Sequence, residues 1–117
     1  MKKTVYMTNI SKYDIVVVKF PFASSLKYKA RPALIISSEI YNRNKHNTVL
    51  ILAISSQVDQ KLDFELEIDN WKTAGLLKPS ILKSAIATIE KDFILTKLGH
   101  LSNADKQKTD TFLQILC

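Results

Sequence analysis

Cysteine is almost missing from this chain. The one present, Cys117, has no partner for an internal bridge, and no histidine and cysteine cluster accompanies it that would hold zinc. So little thiol fits a reducing, cytoplasmic setting. No apolar run is long enough to span a bilayer. Residues 1–7 carry the charges of a signal peptide without the apolar segment that follows them in one, so the chain is expected not to be secreted. Linkers, internal repeats and low-complexity tracts are also missing. What is left reads as one domain over residues 1–117, and 46% hydrophobic content is enough to build a core without disulfides. No metal and no cofactor is expected.

Charge is unbalanced. Seventeen basic residues stand against 11 acidic ones, a net charge of +6. That favours an anionic partner, either nucleic acid or an acidic protein segment.

Read in order, residues 1–12 are polar and basic, a loosely held arm or a short edge strand. Residues 14–20 are β-branched and apolar and end at Pro21, which cannot donate to a ladder, so they predict a strand. A loop over 22–31 follows, with Lys27, Lys29 and Arg31 at alternate positions; in an extended loop they share one side. Pro32 suits the start of a strand, and 33–36 is a short apolar run buried on both faces. Ser37 and Ser38 are candidate caps for a short helical turn. Residues 48–54 are a third strand, too short and too β-branched for a helix. Residues 63–69 alternate, which predicts Phe64, Leu66 and Ile68 inside and Glu65 and Glu67 in water. Gly75 ends a turn. Residues 81–89 and 94–98 predict two more strands. Ser102-Asn-Ala-Asp105 is similar to a capping box, and Ala104, Phe112, Ile115 and Leu116 form the apolar stripe of a helix. Short strands followed by one helix predict a mainly β fold, a small antiparallel barrel with helical additions.

Two stretches carry chemistry. Lys29-Ala-Arg-Pro-Ala-Leu-Ile-Ile-Ser37 sets one arginine at the mouth of a buried strand, and Leu52-Ala-Ile-Ser-Ser56 ends another with two hydroxyls. Side by side, these ends join a cation and a hydroxyl on one surface, which suits a phosphodiester. Residue type alone also allows Arg31 a surface ion pair and Ser55 a bond to backbone.

Asp14-Ile-Val-Val-Val with Phe20-Pro-Phe22, Arg31-Pro-Ala-Leu-Ile-Ile-Ser37, Ala53-Ile-Ser55, Gly75-Leu-Leu-Lys-Pro-Ser80, and Ile94 through Gly99 to Leu101-Ser102 together resemble the PemK/MazF-like toxins of bacterial toxin–antitoxin modules. The pieces fall in the family's order across almost the whole chain. The resemblance implies an SH3-like barrel with a C-terminal helix, a homodimer, and a metal-independent, sequence-specific ribonuclease acting on single-stranded RNA. It also implies a cognate antitoxin covering the RNA groove. The family's functional arginine falls on Arg31 and its functional threonine on Ser55. Two positions depart from the pattern: Tyr13 replaces a glycine, and Ser55 keeps the hydroxyl with less constraint at χ1. An acidic base used by some members finds no match.

The implied reaction is attack of a ribose 2′-hydroxyl on the adjacent phosphate, leaving a 2′,3′-cyclic phosphate and a 5′-hydroxyl. Arg31 suits the phosphorane charge, and Ser55 suits orienting the phosphate. Lys27, Lys29, Ser56, Arg43 and Lys45 are candidate RNA contacts, with Lys61 a further cation. Trp71, Tyr28 and Phe22 are candidate stacking platforms, Trp71 equally a lid on the core. His46 and His100 are acid–base candidates by residue type alone but match no family position. Competing readings are a non-catalytic small-barrel module holding RNA or an acidic peptide, and a gyrase-inhibiting toxin on the same fold.

Overall fold

Asp14–Pro21 (β1) forms a strand where β-branched residues suit a pleated, buried surface. The computed structural model describes residues 10–21 and 28–117. Residues 1–9 of the basic arm, Lys27, and Phe22 as a stacking platform lie outside the described residues, while Ile10 of the arm is buried in the core. The second strand starts earlier than its composition suggests. Tyr28–Ile35 (β2) pairs antiparallel with β1 from Pro21↔Tyr28 to Ile15↔Leu34, so Lys29 and Arg31 are strand residues and not loop residues. Pro32 sits inside this strand, where the β3 side of the ladder has not yet begun, so its missing N–H leaves no gap.

Ser38 caps the short helix Glu39–Asn42 (α1), accepting from Tyr41 N. Thr48–Ser55 (β3) follows, then a 3-10 turn at Val58–Gln60, Leu66–Ile68 (β4), Ser80–Glu90 (β5), a second 3-10 turn at Lys91–Phe93, Ile94–His100 (β6) and the helix Asn103–Leu116 (α2). The strands make one sheet in the order β4-β5-β3-β2-β1-β6, with antiparallel neighbours throughout. Ile94 of β6 shares a core with Val49 and Ile51 of β3, three places away in the sheet. Only a curled sheet brings them together, and the register shifts along β1–β6 and β3–β5 supply bends. The result is a half-barrel with one C-terminal helix, as expected. Its other face buries Ile15, Leu34, Leu52 and Leu82 beneath Phe112 of α2.

Two details reverse the expected pattern. In the segment before β4, Glu65 is 3% exposed while Phe64 is 47% exposed. The Glu65 carboxylate accepts from Leu62 N, Ser84 N, Ser84 Oγ and Lys83 Nζ, and four donors make its burial tolerable. In α2 the inward stripe is Asp105, Thr109 and Phe112, with Ala104 and Ile115 facing solvent. Ser102 caps the helix through Asp105 N, as the motif predicts. The Asp105 side chain instead crosses to Asp69 N and Asn70 N at 3.2 and 2.9 Å.

Tyr13 holds a left-handed backbone, φ +76°, without being glycine. Its N–H donates to Ile35 O at 2.8 Å, its carbonyl accepts from Leu101 N at 3.1 Å, and its hydroxyl donates to Asp110. The ring lies between Lys12 and Lys106, whose Nζ atoms stand 5.2 and 5.4 Å from its centre. Burial first, then the bond and charge of Asp110, push the phenol up to about 12.

Candidate active site

β2 and β3 pair at Ala33↔Ala53, Leu34↔Leu52 and Ile35↔Ile51. Continued by two residues, that register sets Arg31 opposite Ser55. Both line one cavity of about 300 Å³, together with Pro32, Ile54, Ser56, Gln57 and Ser80. The arginine and the hydroxyl picked out by sequence are therefore brought together, although Arg31 lies within β2 and not at its mouth. Arg31 is exposed, and among the described residues no carboxylate forms an ion pair with it. Lys29 stands two residues earlier on the same strand and is also exposed. The Ser55 hydroxyl accepts from Gln57 N at 3.1 Å, the strand-end contact its residue type allows. One lone pair is thus occupied, and the hydroxyl proton is left to donate to an anion.

Ser80 was not singled out by sequence reasoning. It is 5% exposed, opens β5 beside the Ser55↔Ile81 pair, and donates its hydroxyl to Lys78 O at 2.9 Å. The signal available was a hydroxyl at a strand start behind Pro79, but its nearness to Ser55 follows only from the β3–β5 register. Gln57, two residues past the end of β3, was likewise not singled out.

Other candidates stand elsewhere. Arg43 and Lys45 precede β3, whereas Ser55 ends it; eight extended residues place them on the order of 20 Å away. Arg43 Nε reaches Glu39 O at 3.4 Å, and Lys61 Nζ bonds Leu62 O at 3.1 Å within its own turn. His46 lies before β3 as well, and His100 pairs with Asp14 across β1–β6. Among the described residues no carboxylate or imidazole lines the cavity, and no group of three histidine, cysteine or acidic side chains is arranged to hold a metal. Glu65 is unsuited to act as a base. Burial alone would raise its carboxyl, but hydrogen bonds from Leu62, Ser84 and Lys83 outweigh this and lower it to about 2.

A second hollow, about 380 Å³ and mostly apolar, adjoins the first and shares Pro32, Ser56 and Ser80 with it. Val17, Ala30, Leu77 and Leu98 line it, and Leu77 is 93% exposed.

A curled antiparallel half-barrel with one C-terminal helix is the architecture of a known class of small bacterial toxins. The profile of the PemK-like, MazF-like toxins of type II toxin–antitoxin systems matches residues 11–117, and the chain belongs to that family. Endoribonuclease EndoA of Bacillus subtilis (strain 168) is 36% identical over 97 residues, covering 81% of this chain and 82% of its own length. Among solved structures, an endoribonuclease in complex with its cognate antitoxin from Mycobacterial species superposes with a TM-score of 0.69 at 20% identity, covering 92% of this chain and 91% of that one. MazE–MazF (Form-III) from Deinococcus radiodurans gives 0.72 at 15% identity, with coverage of 92% and 94%. At those identities the structures establish the fold.

Proposed function

We propose that this toxin endoribonuclease cuts single-stranded RNA at a short sequence, without a metal ion, by in-line attack of a ribose 2′-hydroxyl on the neighbouring phosphate. The products are a 2′,3′-cyclic phosphate and a 5′-hydroxyl. The observation that carries this reading is the shared cavity of Arg31, which has no carboxylate partner among the described residues, and Ser55. A guanidinium offers paired donors to the non-bridging oxygens as charge grows on the phosphorane. Ser55, held through Gln57 N, donates its remaining proton to the same phosphate. Lys29 and Ser56 guide the flanking backbone, with Lys27 assigned the same role from its position in the sequence. The general base stays unassigned.

Residues 1–117 act as one domain in the cytoplasm; among the described residues no helix is long and apolar enough to cross a membrane. A second copy of the chain covers the hollow at Val17, Ala30, Leu77 and Leu98, giving a homodimer whose RNA groove a cognate antitoxin occupies. Support for the antitoxin comes from the mycobacterial relative, described in complex with its own.

The test is digestion of a long single-stranded RNA by purified protein in EDTA, beside Arg31→Ala, with both new ends mapped. Cuts at a recurring motif, cyclic phosphate ends and their loss in the variant are expected. No cleavage by folded, antitoxin-free protein would sink the reading and favour a non-catalytic binding module.

A further inference from the structure

On the β4 side of Ser80 lies a separate cavity of about 190 Å³, lined by Val58, Glu67, Ile68, Asp69, Trp71, Pro79 and Ser80. The pairing of Ile68 with Ser80 places it against the reactive cavity, and Ser80 belongs to both walls. Its volume is below the roughly 300 Å³ at which pockets for drug-sized molecules begin, so it suits one flat ring system. Trp71 is half-buried: it packs against the core and also lines this cavity. Lys72 Nζ stands 5.5 Å from the centre of the Trp71 ring, and the remaining indole surface with Pro79 supplies the apolar area for a ring to lie on.

The polar groups narrow the choice. Asp69 is engaged, its Oδ2 accepting from Lys108 Nζ at 2.8 Å. The side chain of Glu67 is exposed and has no partner among the described residues, so both of its carboxylate oxygens are open. Two oxygens in a plane match two parallel N–H donors. The Watson–Crick edge of an unpaired guanine presents such a pair, N1–H beside the 2-amino group. Adenine and cytosine present one amino group next to a ring-nitrogen lone pair, which would face the second oxygen. Uracil presents one N–H between two carbonyls. Arg31 and Lys29 lie on the far side of Ser80 from Glu67 and Asp69. A nucleotide spanning the two cavities therefore points its phosphate to the cations and its base edge to the carboxylates.

We propose that this cavity is a guanine subsite, with Trp71 as the stacking surface and Glu67 as the group that reads the base. It would fix a guanine next to the cleaved phosphodiester; this last point rests on the ribonuclease reading above. Trp71 is the chain's single tryptophan, so its fluorescence reports the cavity directly. The probe is a 2′-deoxy trinucleotide with guanine at its centre and uracil on either side, which lacks the attacking hydroxyl and cannot be cut. It is expected to quench Trp71 saturably, and the same trinucleotide with adenine, cytosine or uracil at the centre to bind about tenfold more weakly or worse. Inosine, which lacks the 2-amino donor, should lose about tenfold relative to guanine. In Glu67→Gln the difference between guanine and inosine should disappear. The mapped RNA cuts should show a fixed guanine in the native protein that Glu67→Gln no longer selects. Equal quenching by all four bases, none at all, or an undiminished guanine preference in Glu67→Gln overturns the proposal, and inosine tests it without altering the protein. The two readings fail separately. Guanine-selective quenching without RNA cleavage keeps the subsite and loses the ribonuclease, while cleavage with no guanine preference does the reverse.

Discussion

Gly75 and Gly99 meet at one backbone crossing. A Cβ on Gly75 would lie 2.3 Å from Leu98 O, and one on Gly99 would lie 2.5 Å from Ala74 O. They are the only two glycines of the chain. Gly75 also holds φ +94°, so a side chain there is strained whatever the space. The crossing sets the 76–80 segment, which borders all three cavities. Gly75→Ala should lower stability by about 2 kcal/mol or more, and Gly99→Ala by about 1–3 kcal/mol. Urea unfolding midpoints check both.

Arg31 tests the site with little risk to the fold, because it is exposed and among the described residues has no carboxylate partner. Arg31→Ala should lower the cleavage rate by about 10²–10³-fold, the scale for losing one preorganised donor, with the thermal midpoint unchanged. Arg31→Lys should recover little, since an ammonium keeps the charge without the paired donors. Ser55→Thr keeps the oxygen that accepts from Gln57 N and stiffens χ1, so it should retain activity, whereas Ser55→Ala should lose it. Single-turnover rates on one mapped RNA separate these outcomes.

Glu65 predicts a pH dependence of stability. Its carboxyl lies at about 2 in the fold against an ordinary value of 4.5. A lowered value means the folded state favours the ionised form. The stabilisation is therefore complete above about pH 4.5 and is lost as pH falls towards about 2. Glu65→Gln should be less stable at neutral pH by about 1–3 kcal/mol, because Ser84 and Lys83 lose a charged acceptor. It should also show a shallower decline between those two pH values in a thermal-midpoint series.

Tyr13 separates backbone strain from side-chain bonding. Tyr13→Phe removes only the bond to Asp110 and should cost about 1 kcal/mol. Tyr13→Gly should be more stable than Tyr13→Ala by about 1 kcal/mol, because only glycine adopts φ +76° without penalty. Denaturant unfolding of the three variants provides the ranking.

β1 and β3 were legible because continuous β-branched runs have few other homes. β2 was half legible: Lys29-Ala-Arg-Pro reads as loop, and only pairing with Phe20 and Val18 makes it strand. The segment at Glu65 was misread because alternation says which side chains share a face and not which face finds four donors. The stripe of α2 was half read for the same reason: Phe112 is buried and Leu116 packs against the core, but Ala104 and Ile115 face solvent. Asp105 and Thr109 turn inward because their oxygens have partners there, Thr109 Oγ1 donating to Asp105 O at 2.7 Å. At the site, Arg31 and Ser55 stood out by residue type at strand ends. Ser80 and Glu67 did not, because their neighbours come from the β3–β5–β4 register, which no local pattern encodes.

The buried carboxylate of Asp105 and the Tyr13–Asp110 bond both tie the sheet to α2. In order of synthesis, Arg31, Ser55 and Ser80 all precede that helix. A chain still emerging from the ribosome and short of residue 103 carries Arg31, Ser55 and Ser80 but neither clamp. The locking of the sheet against α2 therefore belongs to the finished fold.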